Sequence, residues 1–406
     1  MAKVFILTPD ERNFLENAGD RMPLGALYVA AYLKKHGHEV SVYDLNHDKA
    51  EKLLWDVREQ KPDFAGFSII SSPSFNYMHK LMALTKAVSP GTRIIGGGYH
   101  ALARPKDFVF ADHVVRGNGE KPMLDIVEGR QPSSETSLID FNENPIPARE
   151  LVNTCNYNMV QGGKRTATLI SSRGCPFECV FCGNYERAVR FRDPENIREE
   201  IRQLIGMGFE ALYFFDDAFT LKKDHAISVA SVIKEFGLPY RITTRADLIQ
   251  DEELVKHIAD TGCRIVSLGI ESGNDQVLEN IKKHMTTRDN EAAVELLNKY
   301  GIKTKGFFIF GLPGEGEKEA RETIEFAKRL KSKGLVTADF YAMTPFPGSP
   351  IYDTPGEFGV KILSHNWDEY LEAGKGEITP VLETDRLTKE QIIQFINTAR
   401  REFRDA

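Results

Sequence analysis

The stretch Thr166-Ala-Thr-Leu-Ile-Ser-Ser-Arg-Gly-Cys175-Pro-Phe-Glu-Cys179-Val-Phe-Cys182 joins a strand-like run to three closely spaced cysteines. Iron–sulfur cubanes are usually held by four cysteines, one for each iron. A C-x3-C-x2-C loop supplies only three thiolates, so one iron of a four-iron cluster stays open to a substrate. The spacing therefore predicts a [4Fe-4S] cluster on Cys175, Cys179 and Cys182.

Two simpler interpretations of this loop are a zinc site and three unrelated thiols. Zinc knuckles favour C-x2-C pairs with a second, distant pair, whereas Cys155 and Cys263 are single. Three unrelated cysteines within eight residues would be an improbable coincidence. We expect Cys155 and Cys263 to be plain thiols. The need for thiolates also indicates a reducing compartment and predicts a cytoplasmic protein.

The composition is that of an ordinary globular protein with room for two domains. The chain has 406 residues, with 41% hydrophobic and 27% charged residues, and its net charge of −7 argues against nucleic-acid binding. No apolar stretch approaches the ~20 residues that span a bilayer, and the first residues begin a strand rather than a secretion signal. We therefore expect neither nucleic-acid nor membrane partners.

The first 130 residues alternate strand-like and helix-like segments. This pattern predicts a Rossmann-like, doubly wound parallel sheet, whose ligand crevice lies beyond the carboxyl ends of the strands. Glycines fall at two of those ends, in Gly96-Gly-Gly-Tyr-His100 and Gly117-Asn-Gly-Glu120. They allow a bulky ligand to approach the backbone, although tight turns alone could explain them. The expected strands are Lys3–Thr8, Val40–Leu45, Phe64–Ile70, Arg93–Gly96 and His113–Arg116.

The second half again alternates strands and helices and predicts a partial (β/α)6 barrel over residues 165–350. Residues 131–164 lack periodicity and are expected to be a linker, and residues 351–406 a short C-terminal helical extension. The six expected strands begin near Thr166, Ala211, Tyr240, Ile265, Lys303 and Ala338.

Polar residues end several of the expected barrel strands, where barrel chemistry is found. Carboxylates can bind an ammonium group and hydroxyls, and arginine can bind a carboxylate, as a zwitterionic, ribose-bearing cofactor requires. Each residue taken alone could equally be a surface residue or part of an ion pair. The set is Asp216, Asp217, Arg245, Glu271 and Ser272.

The cysteine spacing, with the aromatic Phe181 before the last cysteine, resembles the radical S-adenosylmethionine (SAM) superfamily. Phe215-Asp-Asp217, Gly269-Ile-Glu-Ser-Gly273 and Phe307-Phe-Ile-Phe-Gly311-Leu-Pro-Gly-Glu315 resemble its cofactor-binding strand motifs. The resemblance implies that SAM chelates the open iron and yields a 5′-deoxyadenosyl radical. It adds Phe181 and Gly311 to the expected SAM contacts.

Met22-Pro-Leu-Gly25 and the two glycine runs of the first half resemble the cobalamin-binding domain of B12-dependent radical SAM proteins, and Thr344–Tyr352 resembles a stretch of the same branch. The resemblance implies these cobalamin contacts: Pro23, Leu24, Gly25, Ser71, Gly97, Gly98, His100, Gly117, Asn118, Gly119 and Glu120. The D-x-H-x-x-G signature of a lower cobalt ligand is missing, because Asp44-Leu-Asn-His47 has the wrong spacing. We therefore expect cobalamin to bind without a histidine below cobalt, with His100 as a corrin or nucleotide-tail contact.

Together these resemblances predict a cobalamin-dependent radical SAM methyltransferase acting on an unactivated carbon, with methylcobalamin as the methyl donor. The short C-terminal part suggests a laterally open barrel and a peptide substrate, such as a glutamine of methyl-coenzyme M reductase. A ferredoxin or flavodoxin is the expected electron donor.

Three alternatives compete with methyl transfer. One is cobalamin-dependent cyclisation, ring contraction or oxidation of a small molecule. Another is a non-catalytic electron-transfer protein that holds cobalamin and the cluster. A transfer-RNA methylthiotransferase is rejected, because residues 1–150 lack the three additional cysteines that it needs.

Overall fold

The computed structural model describes residues 1–12, 18–132, 140–184, 186–370 and 379–406. It divides into two compact units, Met1–Met159 with Asn366–Gly376, and Val160–His365 with Glu377–Ala406. The boundary between the units falls within the expected linker, residues 131–164. The expected C-terminal extension, residues 351–406, contributes residues to both units. Residues 140–159 complete the first unit, in which the Ala148 amide donates to the Leu27 carbonyl (3.1 Å).

The first unit is built on a five-stranded parallel sheet, in the order β2-β1-β3-β4-β5. The doubly wound prediction is thus confirmed. The order reverses between β1 and β3, and ligands of such sheets bind beyond the carboxyl ends of the strands at that point. The strands are β1 (Lys3–Thr8), β2 (Glu39–Asp44), β3 (Phe64–Ser68), β4 (Arg93–Gly97) and β5 (His113–Val114).

Helices connect these strands and bury their apolar faces against the sheet. The first begins after Pro23, buries small and aliphatic residues such as Ala26, Leu27 and Ala30, and ends before Gly37, which has φ = +82°. A glycine tolerates this left-handed conformation without steric cost. The helices are α1 (Leu24–Lys35), α2 (Ala50–Gln60), α3 (Phe75–Val88), α4 (Tyr99–Ala103) and α5 (Glu120–Val127).

The second unit is built on a seven-stranded sheet, β14-β13-β12-β11-β10-β7-β6, in which only β6 pairs antiparallel. Its six parallel strands are those predicted for the partial barrel. The strands are β6 (Val160–Gln161), β7 (Lys164–Leu169), β10 (Ala211–Phe214), β11 (Tyr240–Thr244), β12 (Cys263–Glu271), β13 (Lys303–Phe310) and β14 (Leu335–Ala342). A two-stranded ribbon, β8 (Ser172–Arg173) and β9 (Arg190–Phe191), flanks the cysteine loop.

Helices follow the strands of this sheet along the chain, and several of them pack against it. They are α6 (Pro194–Gly206), α7 (Lys223–Phe236), α8 (Glu252–Asp260), α9 (Asp275–Asn280), α10 (Thr287–Lys299), α11 (Glu317–Lys333) and α12 (Pro350–Asp353). A second ribbon, β15 (Val360–Ile362) and β16 (Leu382–Thr384), precedes the last helix, α13 (Lys389–Asp405), which packs on α11 and β14. No helix among the residues described is both long enough and apolar enough to cross a membrane.

Candidate functional site

The cysteine loop follows β8 and is anchored by backbone hydrogen bonds at both ends. The Cys175 amide donates to the Glu186 carbonyl (2.9 Å), and the Cys182 amide donates to the Cys179 carbonyl (3.0 Å). Between the last two cysteines, the Val180 amide donates to the Ile281 carbonyl (3.1 Å) and its carbonyl accepts from the Ile351 amide (3.2 Å). The loop is thus fixed to two other segments of the second unit.

The three cysteines suit a four-iron cluster in number, redox form and setting. All are free thiols, Cys179 is buried, and the other two are half-buried. Burial raises the pKa of the Cys175 and Cys182 thiols, so positive charge from iron is needed to keep them as thiolates. No three His, Cys, Asp or Glu side chains in the described ranges converge on a single metal ion. A cubane does not require such convergence, because each thiolate binds a different iron.

Arg245 lies at the end of β11 beside the cysteine loop. Its Nη1 is 3.9 Å from Cys179 Sγ, and its guanidinium lies over the Phe177 ring at 3.7 Å. Its Nε donates to Asp247 and its Nη2 donates to the Lys283 carbonyl, at 2.9 Å and 2.6 Å. These contacts hold a permanent cation next to the predicted cluster.

The two aspartates that follow β10 have different surroundings. Asp216 is fully buried and accepts hydrogen bonds from the Ser171 amide (2.7 Å), the Ser171 hydroxyl (2.5 Å) and the Ser172 hydroxyl (2.6 Å). Burial raises its pKa to about 6. Asp217 accepts from the Gly174 amide (3.2 Å), immediately before Cys175. Asp216 therefore fixes the segment that leads into the cysteine loop, and Asp217 is the carboxylate at the loop itself.

Glu271 ends β12 in a buried ion pair with Lys283. The Glu271 Oε1 to Lys283 Nζ distance is 2.7 Å, and both side chains are less than a tenth exposed. Glu271 has φ = +65°, and the β12–β13 register shifts beside it. A Cβ at Gly269 would lie 2.4 Å from Glu271 Oε1. The Gly-Ile-Glu-Ser-Gly motif thus uses its first glycine to make room for this carboxylate.

The remaining predicted SAM residues lie in different surroundings. Phe181 is half-buried within the loop. Ser272 is fully buried, with its hydroxyl 3.2 Å from that of Thr323. The Gly311 amide donates to buried Glu315 (2.6 Å), and a Cβ at Gly311 would lie 2.8 Å from Ile392 of α13. The structure therefore brings Asp217, Arg245 and Glu271 to the cysteine loop and its anchors, and it places Ser272 and Gly311 in internal packing.

Sequence reasoning missed the short loop Ile281–His284. Its Ile281 carbonyl anchors the cysteine loop, and its Lys283 contacts both Arg245 and Glu271. The residues on either side of Lys283 have positive φ, +53° at Lys282 and +51° at His284. Such strained non-glycine residues cluster at functional sites. This loop has no hydrophobic periodicity that would mark it in the sequence. The sequence also does not show which of its two adjacent lysines is buried.

In the first unit, the loops after β3 and β4 contain several of the predicted cobalamin residues and meet at Gly98. This glycine has φ = +94°, and a Cβ on it would lie 2.3 Å from the Ile69 carbonyl oxygen. At Gly97 a Cβ would meet no closer neighbour than the Phe67 carbonyl oxygen, at 4.0 Å. Ile70 and Tyr99, beside these glycines, are 49% and 44% exposed. Sequence reasoning missed these two large side chains at the ligand edge of the sheet.

The two glycines give a matched prediction. Gly98→Ala forces a clash with backbone, so we expect a lower melting temperature together with loss of cobalamin binding. In Gly97→Ala the added methyl group meets no close protein atom, so the melting temperature should stay within a degree or two of the wild type. Cobalamin should bind more weakly if it lies against this backbone. Differential scanning fluorimetry and visible absorption titration with hydroxocobalamin measure the two effects. Unchanged cobalamin affinity in Gly97→Ala would remove this glycine from the proposed cobalamin contacts.

His100 lies inside an aromatic cluster. Its ring stacks on Phe75 at 4.2 Å and meets the edge of Trp367 at 5.0 Å. Its Nδ1 is 2.9 Å from the Ser72 hydroxyl, and its Nε2 is 3.3 Å from Asp107 Oδ2. Burial lowers its pKa to about 4, so the imidazole is neutral. His100 therefore packs the loops behind the ligand edge, and its contact with a corrin stays a prediction.

The other predicted cobalamin residues lie on or beside the same edge. Pro23 and Leu24 are half-buried at the start of α1, and Gly25 is exposed, with open space where a Cβ would lie. Ser71 is buried and its carbonyl accepts from the Ser74 amide (3.1 Å). Buried Glu120 accepts from Asn144 Nδ2 at 2.9 Å.

The second glycine run, Gly117-Asn-Gly-Glu120, and His47 are the remaining residues of the first unit that the sequence analysis singled out. Gly117 has φ = +96°, Asn118 is half-buried, and a Cβ at Gly119 would lie 3.1 Å from Val29 of α1. His47 Nε2 is 2.6 Å from the Gly19 carbonyl oxygen, and its ring packs against Tyr157 at 4.8 Å. His47 thus has internal partners, and the absence of a histidine below cobalt stays a prediction.

Residues 14–127 match the model of the B12 binding domain, and residues 169–327 match that of the radical SAM superfamily. An uncharacterized methyltransferase of Pyrococcus horikoshii is 28% identical over 98% of this chain and 91% of its own length. An anaerobic magnesium-protoporphyrin IX monomethyl ester cyclase of Rubrivivax gelatinosus is 26% identical over 96% of this chain and 74% of its own.

Among solved structures, the radical SAM methyltransferase TsrM from Kitasatospora setae shares the fold. Its TM-score is 0.75 at 17% identity, over 100% of this chain and 89% of TsrM. Both domain matches lie within the corresponding structural units. The chain therefore carries a B12 binding domain followed by a radical SAM domain, the domains that use cobalamin and a [4Fe-4S] cluster with SAM, and over nearly its whole length it is similar to methyltransferases.

Proposed function

We propose that the protein replaces a C–H bond of an unactivated substrate carbon with a C–CH3 bond. The carrying observation is the buried network at the cysteine loop, in which Arg245 contacts Cys179 and the Lys283 carbonyl, and the Lys283 side chain pairs with Glu271. It lies in the same chain as a cobalamin-type unit with an open glycine edge. Cofactors of this kind supply radical and methyl-transfer chemistry, and the protein supplies binding and orientation.

The chain's own residues have three tasks in this proposal. Cys175, Cys179 and Cys182 hold three irons and leave the fourth for SAM. Arg245 and Asp217 provide charges of opposite sign for the carboxylate and ammonium groups of SAM. Glu271, held by Lys283, accepts hydrogen bonds from ribose hydroxyls.

The proposed reaction balances with two SAM molecules and two electrons for each methyl group. One SAM gives its methyl group and leaves as S-adenosylhomocysteine. The other is reduced to methionine and a deoxyadenosyl group, which leaves as 5′-deoxyadenosine with the substrate hydrogen. The electrons come from an external one-electron donor, for which ferredoxin or flavodoxin stays the prediction.

One relative favours a second candidate function. The Rubrivivax protein is named a cyclase, so a radical reaction without methyl transfer is the alternative for this chain. The mass of the product separates them, since methylation adds one CH2 unit. The glutamine residue of a protein, suggested by the sequence, stays a prediction for the substrate.

The test is anaerobic reconstitution with iron, sulfide, cobalamin, a chemical reductant and SAM labelled in its methyl group. The expected result is equal formation of S-adenosylhomocysteine and 5′-deoxyadenosine, with label in a product from cell extract. If 5′-deoxyadenosine forms and the substrate changes without gaining label, the protein catalyses the alternative, a radical reaction without methyl transfer. Formation of neither nucleoside by protein that carries cluster and cobalamin would reject both.

A further inference from the structure

The face of the second unit's sheet that lies opposite the helices carries large polar and aromatic side chains. Because successive residues of a strand point to opposite faces, the buried Leu212, Ile242 and Phe308 pack toward the helices. Their neighbours Tyr213, Arg241 and Phe307 point to the other face, which we call the inner face. These inner-face residues have no role in the network around the cysteine loop.

Arg241 is a half-buried cation on the inner face without an acidic partner among the described residues. Its Nε and Nη2 both donate to the Ser267 hydroxyl, at 3.1 Å and 2.8 Å, and its guanidinium lies 4.3 Å from the centre of the Tyr213 ring. No described carboxylate lies within ion-pair distance of it. An arginine does not give up its proton, and a buried charge is costly unless it is paired. This side chain therefore provides a site for an anion.

The other charged side chains in the middle of the inner face neutralise each other. Lys305 Nζ is 2.5 Å from Asp339 Oδ2, which also accepts from the Tyr341 hydroxyl at 2.9 Å. Among the described residues of this part of the sheet, Arg241 therefore carries a positive charge that no carboxylate neutralises.

Aromatic rings surround these charges. Tyr213 and Phe215 pack at 4.3 Å, and Phe307 and Tyr341 at 6.1 Å between ring centres. Phe215 is 36% exposed and the others are half-buried, so all four rings contribute apolar surface to the inner face. Aromatic rings favour flat apolar groups by stacking.

We propose that Arg241 binds an anionic group of the substrate, and that the substrate is a small organic acid with a carboxylate or phosphoryl group on a flat apolar body. The inference rests on the proposed function and names its substrate class. Nη1 of Arg241 has no described acceptor and is available to complete a two-point hydrogen bond.

The position of Arg241 also sets the length of the substrate. Arg245 directly follows β11, four residues after Arg241, so the two are ~13 Å apart along extended chain. Arg245 is beside Cys179, so the acid group binds near the amino end of the strand while the reacting carbon lies toward the cysteine loop.

The test compares a flat acid with its neutral analogue. We would titrate anaerobically reconstituted enzyme, loaded with cluster, cobalamin and SAM, with 2-naphthylacetate and with 2-naphthaleneethanol. The acid should bind about tenfold more tightly than the alcohol, as one charged hydrogen-bonded pair predicts. Arg241→Gln should remove this preference and leave alcohol binding unchanged. Arg241→Lys should keep part of it, and Arg202→Gln, on the exposed face of α6, should keep all of it.

Iron and cobalamin content and the melting temperature show that each variant is folded. An unchanged acid preference in folded Arg241→Gln, or no preference in the wild type, would overturn the inference. The methyl-labelling experiment separates the two proposals, because the binding preference does not require turnover. Label recovered in protein or in neutral small molecules would confirm methyl transfer while rejecting the substrate class proposed here.

Discussion

Replacing Cys179 with serine will abolish formation of 5′-deoxyadenosine. The thiol is buried in the anchored loop, and no other described cysteine lies in that loop apart from the two remaining members of the triad. A cluster bound by two thiolates loses a covalent ligand, so iron content and the visible absorption of the reconstituted protein should fall as well. The measurement is chromatography of the anaerobic reaction, alongside iron analysis.

Cys155→Ser is the matched control, since Cys155 is an exposed single thiol. It should keep iron content and activity. Cobalamin binding should survive in both variants, because the cobalamin-type residues lie in the first unit. Full activity of Cys179→Ser would contradict the cluster assignment of this loop.

Replacing Lys283 with methionine will weaken SAM binding by about two orders of magnitude. The substitution leaves the Glu271 carboxylate buried without its partner, and removal of one member of a buried pair typically costs about 3–5 kcal/mol. Glu271 then lacks the contact that orients it, so it no longer presents a fixed acceptor. SAM binding is measured by equilibrium dialysis on reconstituted protein, and stability by thermal unfolding.

Lys282→Met provides a matched control one residue away. Lys282 is exposed and Lys283 is buried, so the same chemical change should leave SAM affinity within twofold. Adding Glu271→Leu to Lys283→Met should restore stability, because no buried charge remains, but it should not restore SAM binding, because leucine cannot accept a hydrogen bond. Recovery of SAM binding in that double variant would mean that Glu271 has no direct part in the site.

The sequence predicted the two sheets closely because their strands are apolar runs separated by helical segments of ordinary length. The cysteine spacing also gave a specific assignment of the cluster ligands, which stays a prediction. It could not distinguish Asp216 from Asp217, or Lys282 from Lys283. In each pair, adjacent residues of the same type point in different directions, and only the backbone at the strand end or in the loop decides which one is buried.

Arg241 illustrates a second limit of sequence reasoning. Its charge is ordinary in a chain with 52 lysines and arginines. Its role emerges only from the pairing of Tyr213 with Arg241 across β10 and β11, and from the lack of a carboxylate near it among the described residues. Long-range pairing of this kind leaves no local pattern in the sequence.

Residues 366–370 have a consequence for how the protein is made. Trp367 and Tyr370 are buried in the first unit, where Trp367 packs on His100, yet they follow residue 159 by about two hundred residues. At ribosomal rates of roughly 5–20 residues per second, the nascent first unit waits about 10–40 s for them. During that interval the aromatic cluster around Phe75 and His100 lacks the packing contact of Trp367 and is partly exposed to solvent. We therefore expect the growing chain to depend on chaperones until Trp367 and Tyr370 have emerged.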